Sequence, residues 1–219
     1  MKPFNYLTIY LVTCVLLFSV SCKDNATGEK PDLPDSLDPV EEVKAIQGGD
    51  SATIQVNKDS QAFYQIDFSD IEANDIIQNG IQEGWCIDWE TPIDSDGGVY
   101  EGVKLYSTFQ VEEWKPINYL LNIKQDLMEN DPTVTYREIQ LVIWSLRTNP
   151  VFDLEELAVE DLPGRMVNDG KPNFSYDKVE EILDRVKTGY EDFDFSAGTK
   201  FAVIGETPAD VQTVFTVVQ

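Results

Sequence analysis

The sequence predicts a single α+β domain: a mainly antiparallel, barrel-like sheet with two to three helices inserted between strands. Three observations carry this. Short stretches of alternating apolar and polar residues come first, helical periodicity fills the middle, and alternation returns at the end. The chain has 219 residues, 42% of them hydrophobic. That is enough for an ordinary core with no disulfide or metal to hold it together.

Taken in order, SATIQVN (51–57) and QAFYQIDFS (61–69) alternate as the two arms of a hairpin. WCIDW (85–89) and YEGVKLYST (100–108) read as further strands. Residues 114–130 read as a helix, with Pro116 in its first turn and Ile117, Leu120, Leu121, Leu127 and Met128 on one face. The best-marked helix lies within residues 131–150. Thr135 and Glu138 have capping-box spacing, Ile139, Val142, Ile143 and Leu146 form an apolar stripe, and Asn149-Pro150 ends it. Residues 176–190 carry Val179, Ile182, Leu183 and Val186 at helical spacing, and the last residues read as two strands around a turn at Thr207-Pro208.

The ends and the charge limit the function. Residues 1–21 read as a signal peptide, with an early lysine and an apolar run to about Val20 that is too short for a comfortable membrane span. SVSC resembles a bacterial lipobox, which makes Cys22 the lipidated first residue of the mature chain. Lys23 and Asp24 resemble a surface-export signal of lipoproteins. Residues 22–49, rich in Pro, Asp and Glu, read as an acidic flexible tether, and residues 50–219 as the folded domain. The expected location is the outer membrane or cell surface, with the lipid on Cys22 as the membrane contact. A formal net charge of −24, with 16 Lys and Arg, excludes a nucleic-acid partner.

Of the three cysteines, Cys14 leaves with the signal peptide and Cys22 carries lipid, so Cys86 is left alone in an oxidising compartment. It lies between Trp85 and Trp89, with Asp88 expected on its own face of the strand. Gln140 follows Ile139, about 100° round the helix and thus at the margin of the buried stripe, with Trp144 one turn on. The chain has no histidine, which removes Ser-His-Asp, Cys-His and histidine-zinc chemistry.

These two segments together resemble the bacterial thioester domains of surface adhesins. WCID (85–88) is similar to that family's aromatic-Cys-Ile-Asp segment, and IQLVIW (139–144) to its later helical motif at Gln140, Ile143 and Trp144. Ile139 stands where the family has threonine and Val142 where it has alanine. The resemblance spans about residues 83–148. It implies an internal thioester between Cys86 and Gln140 and single-turnover attachment to an amine, such as a lysine of a host or neighbouring-cell surface protein, with no cofactor and no enzymatic turnover. Trp85, Trp89 and Trp144 are then the expected shields against water, and Asp88 a proton acceptor or orienting group. A carboxylate beside Cys86 would raise the pKa of its thiol.

Other readings stand beside this one. A lone cysteine is commonly a small core hydrophobe, a glutamine at a helix margin is commonly solvated, and tryptophans commonly belong to core or rim. The chain could therefore be an envelope lipoprotein that binds protein or glycan non-covalently, or serves a structural role, with Cys86 unbonded. PIDSDGG (92–98) resembles part of a calcium loop but lacks its later ligands, so it reads as a turn. EDFDF (191–195) and DLEELAVED (153–161) read as solvated surface.

Overall fold

Alternation in ATIQVNK turns Ala52, Ile54 and Val56 to one buried face and Gln55 outward, and the following hairpin arm does the same with Tyr64, Ile66 and Phe68. In the computed structural model, which describes residues 43–147, 152–156, 158–196 and 199–219, these arms are β2 (Ala52–Lys58) and β3 (Tyr64–Ser69), paired antiparallel with Ile54 opposite Phe68 and Val56 opposite Ile66. A short β1 (Lys44–Ala45) precedes them, and β4 (Gly80–Cys86) and β5 (Asp96–Ser107) follow. Next come α1 (Lys115–Asn130) and α2 (Tyr136–Leu146), a small hairpin of β6 (Val167–Asn168) and β7 (Lys171–Pro172), and α3 (Tyr176–Gly189). The chain closes the sheet with β8 (Phe201–Glu206) and β9 (Val214–Val218).

The strand order is β1-β5-β2-β3-β4-β9-β8, and β8 pairs back onto β5. Six antiparallel strands therefore form a closed barrel, with β1 added beside β5, in a single α+β domain. Closure hides the unpaired edges that an open sheet would leave to solvent.

The folded region starts earlier than residue 50. Lys44 and Ala45 pair with Ser107 and Tyr106, Ile46 is buried, and its N–H donates to Leu105 O at 2.9 Å. Residues 43–49 thus belong to the barrel rather than to the tether. The expected signal peptide, the lipobox and Asn149-Pro150 lie outside the described residues. Among the described residues, no helix is long and apolar enough to cross a membrane.

The helices pack on the outer face of the barrel. Trp114, just before α1, meets Phe215 of β9 edge-on at 5.6 Å, and Lys124 of α1 stands 5.1 Å over the Trp85 ring. The capping box of α2 forms as expected. Thr135 Oγ1 accepts from Arg137 N at 3.2 Å, and Glu138 Oε2 accepts from Thr135 N at 2.8 Å. The other Glu138 oxygen accepts from Ser175 N at 3.0 Å, which ties the start of α3 to the start of α2. Phe193 and Phe195, expected at a solvated surface, instead pack on Tyr119 and Phe109.

Candidate functional site

β4 changes partners halfway along its length. Gly80 to Gly84 pair with β3, and Gly84 to Cys86 pair with β9, so Gly84 alone has both neighbours. A side chain at residue 84 would come within 2.5 Å of Ile66 Cδ1, which explains the glycine at the crossing. Beyond it β3 has turned away, and the backbone of Cys86 has lost its strand partner on that side.

Gln140 fills the gap. Its Oε1 accepts from Cys86 N at 2.9 Å, and its Nε2 donates to Cys86 O at 3.0 Å. A carboxamide has the donor and acceptor of a peptide group, so the side chain continues the ladder where β3 leaves off. Both Gln140 and Cys86 are fully buried. Periodicity puts Gln140 at the margin of α2's buried stripe, but α2 is also covered by β4, so Gln140, Leu141 and Trp144 are buried along with Ile139, Val142 and Ile143.

Cys86 shares its face of the sheet with Gly84 and Tyr64, the face that carries Ile66 and Phe68, so its thiol points into the barrel. There Tyr64 is the neighbouring polar side chain. The Tyr64 hydroxyl donates its hydrogen to Gln212 Oε1 at 3.0 Å. Gln212 Nε2 in turn donates to Asp88 O at 2.5 Å. Burial pushes the Cys86 thiol well above its ordinary pKa; Tyr64 and Arg165 pull it down and Asp88 pushes it up. Burial, with Cys86 beside it, likewise raises the Tyr64 phenol. Both groups stay protonated at neutral pH.

Asp88 does not share a strand face with Cys86, contrary to expectation. The strand ends at Cys86, and Asp88 lies in the bend beyond it. Its Oδ1 accepts from Thr91 N at 2.8 Å and Glu90 N at 3.2 Å, a local turn typical of aspartate. It acts on the thiol through its charge, while its main-chain carbonyl holds Gln212.

A cleft of about 590 Å³ opens over this end of the barrel, lined by Phe63, Tyr64, Cys86, Trp89, Trp144 and Arg165 among others. Phe152 joins two of its rings, 5.5 Å from Trp89 and 5.6 Å from Trp144, while Phe63 lies 5.8 Å from Trp144. Arg165 fastens the outer wall: its guanidinium donates to Phe63 O and Asp59 O and stacks 5.0 Å from the Phe63 ring. Arg137 Nε donates to Arg165 O at 2.8 Å. Trp89 and Trp144 therefore line the same cleft as Cys86. Trp85 does not, because neighbouring residues on a strand face opposite ways and its ring lies outside the barrel under Lys124. The buried indole nitrogens of Trp89 and Trp144 have no hydrogen-bond partner among the described residues.

Sequence reasoning missed Tyr64, Phe63, Gln212 and Arg165. Tyr64 and Phe63 read as ordinary strand residues, and Gln212 and Arg165 stand more than seventy residues from Cys86. No local signal marks any of them. At residues 94–97, Asp96 pairs with Lys58 Nζ at 2.7 Å and Asp94 Oδ1 accepts from Asp96 N at 2.9 Å, which is a turn. Among the described residues, no three acidic or cysteine side chains gather as a metal site. Comparison of the chain with protein-family models, with curated proteins and with solved structures finds no match.

Proposed function

We propose that the chain is a surface lipoprotein whose Cys86 and Gln140 join in an internal thioester and attach it covalently to an amine on a target. The observation that carries this reading is the clamp of the Gln140 carboxamide onto the backbone of Cys86, at 2.9 and 3.0 Å, in a fully buried site.

The step balances simply. Cys86 Sγ bonds to Gln140 Cδ, the Cδ–Nε2 bond breaks, and the thiol proton leaves with the nitrogen as ammonia. Oε1, which takes the negative charge as the sulfur adds, already receives the Cys86 N–H, a donor aimed where charge develops. Tyr64, the polar side chain beside the thiol, relays its proton. A target amine then attacks the thioester carbon, forms an amide with the Gln140 side chain and releases the Cys86 thiol. The enclosed site disfavours water as the competing nucleophile. The Asp88 main-chain carbonyl orients Gln212, and Trp89 and Trp144 screen the cleft. Each molecule reacts once, so this is covalent adhesion rather than enzymatic turnover. The target is a surface protein presenting a lysine, and the lipid on Cys22 holds the chain to the outer membrane.

A second reading has its own support. The clamp satisfies all four polar groups it joins, so Gln140 can serve as a buried structural peg while the aromatic cleft binds protein or glycan with Cys86 unbonded. Intact mass of the purified protein separates the two. The thioester gives a mass one ammonia below that expected from the sequence, a gain of one methylamine on treatment, and neither effect in Cys86→Ala. A full sequence mass with no methylamine adduct overturns the covalent reading and leaves the non-covalent one.

A further inference from the structure

A second cleft, of about 1050 Å³, lies on the other side of the β2–β3 hairpin, between β4 and β9. The last paired residues of these strands are Gly84 and Thr216. Thr216 Oγ1 ends the ladder by donating to Glu83 O at 2.7 Å, and past it the strands part. Ile81, Gln82 and Glu83 then have only β3 as a neighbour, and Val217 and Val218 only β8.

Antiparallel pairing alternates backbone direction along a strand. Cys86 turns its N–H and C=O toward Gln140, on the β3 side, so Gly84 and Gln82 do the same. Ile81 and Glu83 consequently face the cleft, and Glu83 O, bonded to Thr216, agrees with this. The wall offers the Ile81 N–H and C=O and the Glu83 N–H, with Ile81 itself 61% exposed. An apolar residue on an open edge is what sheet proteins ordinarily avoid, because another strand can pair there. Asp59 and Asp75 line the cleft with Lys200 and with Glu83, whose carboxylate is paired with Lys124, on a chain of net charge −24.

We propose that the cleft between β4 and β9 takes an extended, basic segment of a protein partner, which adds to β4 as a strand in the place β9 leaves empty. Main-chain bonds to Ile81 and Glu83 hold it, its alternate apolar side chains cover Ile81, and its cationic side chains face the acidic lining. This surface is separate from the Cys86 cleft and functions whether or not a thioester forms.

The test uses the full-length protein in detergent and a short capped peptide alternating lysine and valine, read by calorimetry and by amide chemical shifts. Saturable binding is expected, with shifts concentrated at Ile81 to Glu83. N-methylation of alternate residues, which deletes ladder donors but keeps charge, should weaken binding about tenfold. Ile81→Ser should weaken it severalfold, while Val99→Ser, at an exposed position on β5, and Cys86→Ala should leave it unchanged. Equal binding of the N-methylated or glutamate-valine peptide, or of Ile81→Ser, would overturn the proposal, as would the absence of saturation.

Discussion

The two ends of β4 solve the same problem in opposite ways. At Cys86 the strand loses β3, and a glutamine from α2 occupies the vacated edge with a side-chain amide. At Ile81 it loses β9, and the cleft between the two strands is left open, with the apolar side chain exposed. The difference follows from what lies behind each end. The Cys86 end is sealed under α2, where an unpaired backbone group would be costly, whereas the Ile81 end faces solvent, where water can serve it. A closed barrel therefore has one edge filled from within and one available from outside.

The largest expected effect comes from emptying the filled edge. Gln140→Leu leaves the N–H and C=O of Cys86 buried and unpaired, and should cost about 3 kcal/mol in denaturant unfolding. A loss below about 1 kcal/mol would mean that the clamp is not what closes that edge. Tyr64→Phe keeps the ring but removes the donor to Gln212, for about 1 kcal/mol. It should also slow the appearance of the methylamine-reactive form without preventing folding, and an unchanged rate would remove Tyr64 from the proton path.

A smaller effect depends on pH. Where Cys86 is a free thiol, its folded pKa lies above the ordinary 9.0, so the folded chain keeps the proton when the unfolded chain has lost it. Its contribution to stability is intact below about pH 9 and is lost as pH climbs from there. Tyr64 adds a loss of the same sign beginning near its ordinary 10.0. Melting temperature should fall above pH 9, and less in Cys86→Ala. A thioester form has no thiol to titrate and should match the alanine variant in this range, which turns the pH profile into a second reading of the bond. The smallest effect belongs to the open edge, where Ile81→Ser should change stability by no more than about 0.5 kcal/mol. A larger loss would show that Ile81 supports the barrel itself.

Patterns of short range along the chain are legible in the residues alone. The capping box at Thr135 and Glu138, the buried faces of α1 and α3 and the β2–β3 hairpin all rest on residues within a few turns or one loop of each other. Asp88 departs from its expected strand face because nothing local says where a strand stops when its neighbour diverges. Residues 43–49 (VKAIQGG) adjoin the acidic tether and are too short to show alternation, yet Ile46 anchors them to Leu105, nearly sixty residues away.

The amino-acid order alone dictates the fold class and the helices, and the pairing of interest enters as a resemblance. A lone cysteine in WCID and a glutamine in IQLVIW can be matched as residue types at a plausible interval. What surrounds them is settled by packing in three dimensions. Closure of β8 onto β5 joins residues a hundred apart, the arrival of α2 against β4 turns a marginal glutamine into a buried one, and Tyr64, Gln212 and Arg165 line the Cys86 cleft from three other segments. The physical reason is that periodicity reports which face of an element is apolar. What that face meets, and which backbone edges it leaves without a partner, depends on packing between elements far apart in the chain.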